Sequence, residues 1–201
     1  MTTVAIVYHS GSGHTAVVAE HVAKGAGSLP GVTAKLYKAD ELASADAGPW
    51  DELAAAEAIV FGAPTYMGSA SAPMKQFMDA SSKVWFTQGW KDKIAAGFTN
   101  SASWSGDKLS TLEQFAVFAA QHAMVWTGTG MMPGYNASTS SPDAVNRIGS
   151  FLGLMTQANA DQGPDVAPPQ SDRKTAELFG QRVAEATARW KRGAKLAEKV
   201  A

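Results

Sequence analysis

Apolar residues fall in short blocks that alternate with stretches of helical spacing. TVAIVY at 3–8 reads as a buried strand, Thr15 to about Ala26 as a helix, and the partly alternating VTAKLY at 32–37 as a second strand. WDELAAAE at 50–57 predicts a short helix and AIVFG at 58–62 a third strand. From Ala72 to Ser82, Met74, Phe77 and Met78 share one helical face. KIAAGFT at 93–99 predicts a fourth strand. LSTLEQFAVFAAQHA at 109–123 predicts a helix with Leu109, Leu112, Ala116 and Ala119 inward, and MVWTGTG at 124–130 a fifth strand. A last helix at about 171–197 repeats Phe179, Val183, Ala186 and Trp190 on one face.

Five apolar strands separated by helices predict an α/β fold, a parallel sheet covered on both faces. The expected strand order is 2-1-3-4-5. Ligands of such sheets sit beyond the C-terminal strand ends where the order reverses. The loops after residues 8, 62 and 99 are therefore expected to meet at one site. Residues 130–170 resemble loop, yet some forty residues without regular structure do not suit a compact domain. Ser141 and Pro142 read as a helix start, with Ile148, Phe151, Leu152 and Met155 as its apolar face, within an insertion that forms a pocket wall or a subunit interface.

Composition narrows the class. With 201 residues, 45% of them hydrophobic and 17% charged, the chain suits one domain spanning 1–201 and excludes disorder. It lacks the apolar run of about 18 residues that a membrane span requires, so no membrane insertion is expected. The absence of Cys excludes disulfides and thiolate chemistry. A formal net charge of −1 gives no case for a nucleic-acid partner, although eight of the 17 Lys and Arg residues follow Gln170. No signal-peptide pattern precedes the first strand, which points to a cytoplasmic protein. No metal site is expected, because HExxH and DxDxDG patterns are missing.

Three loops carry the chemistry. SGSGHT at 10–15 fits neither the Walker A pattern nor GxGxxG. It offers the hydroxyls of Ser10, Ser12 and Thr15 and the N–H groups from Gly11 to Thr15 where a helix begins, a cradle of neutral donors suited to a monophosphate. GAPTYMGS at 62–69 combines small residues with Thr65, Tyr66 and Met67, which suit the edge of a flat heteroaromatic ring. TNSASWSG at 99–106 adds small polar residues and Trp104. His14 either donates toward phosphate or caps the helix as a neutral ring, whereas His9 and His21 read as structural or exposed.

SGSGHT, FGAPTYMG followed by PMKQFMD, the fourth-strand loop and QHAMV at 121–125 occur in an order that resembles the tryptophan-repressor-binding-protein family of NAD(P)H:quinone oxidoreductases. The resemblance spans nearly the whole chain. It implies a flavodoxin-like three-layer sandwich that binds FMN, takes electrons from NADH or NADPH, and passes two of them by a ping-pong mechanism to a quinone or similar planar acceptor. It also implies a homo-oligomer, a dimer or tetramer. Carried over by motif, the phosphate loop falls on Ser10, Gly11, Ser12, Gly13, His14 and Thr15, and the flavin-edge loop on Pro64, Thr65, Tyr66, Met67 and Gly68. A second ring loop falls on Asn100, Ser101, Ala102, Ser103, Trp104 and Ser105, a catalytic flavin-proximal histidine on His122, and a substrate-lining tryptophan on Trp85; Trp104, where this chain departs from the family loop, is expected to join Trp85 in packing on the planar substrate. The family's glycine-rich fourth-strand loop is replaced here by Ser101–Ser105, and an aromatic position of its first loop by Ser12. Three other functions fit the residues: a flavodoxin-type one-electron carrier, a reductase of flavins or azo compounds, and a non-catalytic interaction protein.

Overall fold

A computed structural model describes residues 1–197. The chain runs β1 (Thr2–Tyr8), α1 (His14–Gly27), β2 (Val32–Lys38), a 3-10 turn (Ala39–Leu42), α2 (Trp50–Ala55), β3 (Ala58–Tyr66) and β4 (Ser69–Ala70). It continues through α3 (Ala72–Ala80), α4 (Ser82–Phe86), β5 (Ile94–Ser101), α5 (Lys108–Gln121), β6 (Val125–Trp126), β7 (Leu154–Gln157) and α6 (Gln170–Ala197). Among these residues no helix is long and apolar enough to cross a membrane.

Strand periodicity splits the core into two layers. Ala5, Val7, Ile59, Phe61 and Ala95 face Met74, Phe77, Trp90, Phe115 and Phe118 on one side of the sheet. Val4, Ile6, Ala58, Val60, Ala96 and Phe98 face Val18, Val22, Phe179 and Val183 on the other. The result is the expected three-layer α/β arrangement, with all the long strands parallel.

The sheet itself differs from the expected five strands in order 2-1-3-4-5. It has seven strands along the path β2-β1-β3-β5-β6, with β4 attached to β3 and β7 to β5. Two local causes account for this. The third strand runs on through Pro64, Thr65 and Tyr66 and folds back through Met67 and Gly68 into β4, antiparallel to itself. Met67 at φ 48° and Gly68 at φ 78° match the two left-handed positions of a tight hairpin turn. The far edge is shared in line by two short strands: β6 pairs with Ile94 and Ala95, β7 with Phe98 to Ser101. Residues 127–153 loop out between them, so the expected strand at 124–130 shrinks to two residues.

The helix expected after Ser141 does not form. Asn146 at φ 50° and Gly149 at φ 77° interrupt it, and the Asn146 side chain closes the turn by accepting from Ser150 N–H and donating to the Met131 and Ser150 carbonyls. Met155, assigned to the helical face, lies in β7. In α5 the inward positions are Leu112, Phe115, Phe118 and Ala119, while Leu109 is half exposed. Trp190 is likewise partly outward, its indole N–H donating to the Asp92 carbonyl at 2.7 Å.

Candidate functional site

The loops that follow β1, β3 and β5 meet around one cavity of about 440 Å³, at the C-terminal strand ends where the sheet order reverses between β1 and β3. Its lining includes Ser12, His14 and Thr15, then Pro64 to Gly68, then Asn100 to Ser103. A fourth wall comes from Ala158 and Ala160 after β7, within the 130–170 insertion expected to supply a pocket wall.

The first loop is built around Gly13, which caps α1 at φ 89° and ψ −26°. Only a residue without Cβ adopts this conformation at little cost. Ser10 Oγ accepts from Ala16 N–H at 3.1 Å, which fixes the loop at its start. Among the described residues, no protein acceptor takes the N–H groups of Gly11, Ser12, Gly13, His14 or Thr15. Five free donors at the start of a 14-residue helix form an anion cradle. The cavity lining contains no Lys or Arg, so these donors and the Ser12 and Thr15 hydroxyls would hold an anion without a cation's help.

His14 is turned elsewhere. Its Nε2–H donates to the Gln162 carbonyl at 2.7 Å, and an added Cβ on Gly13 would lie 2.9 Å from Pro164 Cγ. The segment after β7 thus lies directly over the phosphate-type loop. His9 bonds Ser71 through Nδ1 at 2.8 Å, and His21 bonds Glu177 at 2.9 Å.

In the second loop Thr65 anchors inward. Its hydroxyl lies 2.8 Å from both Thr99 Oγ1 and Thr111 Oγ1, all three buried. Tyr66 extends over the first loop, where a side chain on Gly11 would lie 2.5 Å from its hydroxyl. In the third loop Asn100 is buried, with Oδ1 accepting from Thr156 Oγ1 at 2.9 Å. The buried Lys108, unremarked in the sequence, donates to Ser101 Oγ, Ser103 O and Trp104 O.

Ser10, Gly11 and Gly13 belong to the first loop without lining the cavity, and four expected site residues, Trp85, Trp104, Ser105 and His122, line other surfaces. Trp104 turns away to rest under Arg147, whose guanidinium carbon is 4.6 Å from the ring centroid, and beside Tyr135. It lines a separate groove with Ile148 and Met155. Trp85 and His122 line another cavity, which shares no residue with the three-loop cavity. His122 follows the C-terminal end of α5, whereas Asp107 at its N-terminal end borders the three-loop cavity; a 14-residue helix puts about 20 Å between them. His122 is 2% exposed, its ring tilted against Trp90 and edge-on to Phe118, and burial lowers its pKa to about 4. Within one chain it is a neutral core histidine and not a group beside the cavity.

Residues 2–137 match the family described as NADPH-dependent FMN reductase. The chain is 40% identical over 184 residues to the flavodoxin FldP of Pseudomonas aeruginosa, covering 92% of this chain and 96% of that protein. It is 33% identical over 204 residues to an NAD(P)H dehydrogenase (quinone) of Geobacter sulfurreducens, covering 92% and 98%. Among solved structures, the WrbA-like flavodoxin of Agrobacterium tumefaciens superposes with a TM-score of 0.68 at 39% identity, covering 94% of this chain and 99% of that one.

Proposed function

Since the chain belongs to the NADPH-dependent FMN reductase family, we propose that it is an FMN-dependent oxidoreductase whose three-loop cavity holds the cofactor. The observation that carries this reading is the row of five N–H groups from Gly11 to Thr15 without a protein acceptor among the described residues, in a loop that lines, through Ser12, His14 and Thr15, a cavity without Lys or Arg. Neutral donors suit a monophosphate that is held and never cleaved. Gly13 gives the backbone its close approach there. The hairpin Pro64–Gly68 and the loop Asn100–Ser103 would hold the ring system, and both are anchored by buried hydroxyls.

FMN held there would supply two-electron redox chemistry between NADH or NADPH and the acceptor. The acceptor in this reading is a quinone or a similar planar molecule, as in the name of the Geobacter relative. Donor and acceptor would occupy the same open ring face in turn, a ping-pong order. The protein's part is to fix the cofactor and leave that face accessible.

Trp85, Phe86 and Val117 are 52%, 83% and 61% exposed. They form an outward apolar surface suited to self-association as a dimer or tetramer. Trp85 would then serve a neighbouring subunit's cavity instead of its own. Light scattering that found only monomers with full quinone reductase activity would remove this role.

A second reading rests on the 40% identity to a protein named flavodoxin: a carrier that binds FMN but does not oxidise nicotinamide directly. One experiment separates the two. The purified apoprotein is titrated with FMN and then supplied with NADH or NADPH and a quinone. Saturable FMN binding with rapid nicotinamide oxidation supports the oxidoreductase. Binding without oxidation favours the carrier, and no binding rejects both.

A further inference from the structure

Lys108 is 1% exposed and opens α5, where the helix dipole disfavours a cation. Burying an ammonium also costs free energy unless its protons are engaged. All three are: Nζ donates to Ser101 Oγ at 2.7 Å, Ser103 O at 2.9 Å and Trp104 O at 2.8 Å. No carboxylate among the described residues forms an ion pair with it, and the nearby charges that act on it are Asp172 and Arg147. Burial lowers its pKa to about 8, with Asp172 opposing that shift and Arg147 adding to it. Every bond of this buried cation thus goes to one loop.

The other carbonyls of that loop are engaged in the same sense. Ser101 O accepts from Ala158 N–H at 3.1 Å, and Ala102 O from Gln157 Nε2 at 2.8 Å. Four successive carbonyls, from Ser101 to Trp104, are therefore turned to protein donors. The N–H groups of Ala102, Ser103 and Trp104 have no protein acceptor among the described residues, and Ala102 and Ser103 border the three-loop cavity. Successive N–H groups released in this way form a donor-lined concavity. With no glycine between Asn100 and Ser105, backbone freedom alone does not produce that shape.

We propose that Lys108 is a positioning residue: it draws the Ser103 and Trp104 carbonyls inward, presents the loop's N–H groups to the acceptor edge of the FMN ring, and raises the bound cofactor's reduction potential. This rests on the reading that the cavity holds FMN. Reduction adds electrons to the ring, and a fixed cation beneath a row of oriented N–H groups favours the more electron-rich state.

The test uses the full chain, with Lys108→Met removing charge and donors and Lys108→Arg keeping the charge. FMN affinity is measured by fluorescence quenching on apoprotein, and the midpoint potential by equilibration with reference dyes. Lys108→Met is expected to weaken FMN binding at least tenfold. It should also lose about tenfold of the preference for reduced over oxidised FMN, equal to about 30 mV for a two-electron couple. Lys108→Arg should bind FMN more weakly than wild type with the potential retained. Wild-type affinity and potential in Lys108→Met overturn the proposal, and so does weakened binding with an unchanged potential, which marks a merely structural support. Should Lys108→Met not fold, wild-type affinity in Lys108→Arg overturns it instead. Failure of the wild-type chain to bind FMN would overturn the underlying reading, a distinct result.

Discussion

His122 Nε2–H donates to Ser81 Oγ at 2.9 Å, because the Ser81 hydroxyl proton is already directed to the Met78 carbonyl at 2.7 Å. This assigns the tautomer: Nε2 carries the proton, and Nδ1 is buried without a partner. The ring links the end of α5 to the end of α3, and burial holds its pKa near 4, below the ordinary 6.5. A lowered folded-state pKa means that the unfolded chain binds the proton first, so stability is complete above pH 6.5 and declines as pH falls toward 4. From pH 7 to pH 5 the loss through this group is about 2 kcal/mol. Urea unfolding at both pH values should show that loss in wild type and most of it absent in His122→Gln. Glu177, held near 2 chiefly by Lys24, contributes only below its ordinary 4.5 and leaves this window clear. Equal pH dependence in the two proteins would refute the assignment.

Gly13→Ala tests the anion cradle. Alanine at φ 89° carries a backbone cost of about 1–2 kcal/mol, and its methyl meets Pro164 Cγ at 2.9 Å. The melting temperature should fall by about 2–8 °C and FMN affinity by at least tenfold. Gly31→Ala is the control: Gly31 also has a positive φ, 79°, but nothing lies within 4 Å of the added methyl. It should lose similar stability and keep wild-type FMN affinity. If both variants bind FMN equally well, the Gly11–Thr15 loop does not hold the phosphate.

What the sequence made legible was local. Ser10–Thr15 announces itself because a glycine turn and a helix start are neighbours in the chain, and the free N–H groups follow from that adjacency. The alternation of Val4, Ala5, Ile6 and Val7 likewise separates the two core layers directly. Helical periodicity, however, tells which face of α5 is buried and not which end meets the cavity; within one chain His122 stands at the end away from it. The spacing of Ile148, Phe151, Leu152 and Met155 suits a helix, but Asn146 and Gly149 turn the chain and leave Met155 to a strand. Lys108 was invisible for a different reason. Two of its three acceptors are backbone carbonyls, which carry no residue identity, and a lysine at a helix start reads as solvated.

Arg147 and Asp172 form a buried ion pair, Nε to Oδ1 at 2.6 Å and Nη2 to Oδ2 at 3.0 Å, with side chains 9% and 2% exposed. Asp172 also accepts from Gln157 N–H at 2.8 Å, so the pair ties the 127–153 excursion to β7 and α6. Removing one partner of such a pair leaves an uncompensated buried charge and costs about 3–5 kcal/mol. Arg147→Met should therefore lower the melting temperature by about 6–20 °C and release Trp104, whose fluorescence should respond. The double variant Arg147→Met with Asp172→Leu should recover much of that stability, because no charge remains buried. A double variant no more stable than the single one would show that the pair contributes through packing alone.

Thr111 is wholly buried, and its hydroxyl is 2.8 Å from Thr65 Oγ1, which also meets Thr99 Oγ1 at 2.8 Å. Thr65 stands where β3 turns into the hairpin at the cavity, so α5 holds the outgoing arm of the hairpin through this hydroxyl contact, while Gln114 Oε1 accepts from Ala70 N–H on the returning arm at 3.2 Å. Thr111→Val keeps the shape and removes that contact, leaving Thr65 short of a buried partner at a cost of about 1–3 kcal/mol. Two outcomes then differ in kind. If the contact only stabilises the core, the melting temperature falls and FMN affinity is unchanged. If it positions the hairpin, affinity falls several-fold as well, and a Thr111→Ser variant that restores the hydroxyl restores affinity ahead of full stability, because serine lacks the buried methyl. The second outcome is the expected one, since the side chains at the hairpin tip, Tyr66 and Met67, are 47% and 103% exposed and anchor little.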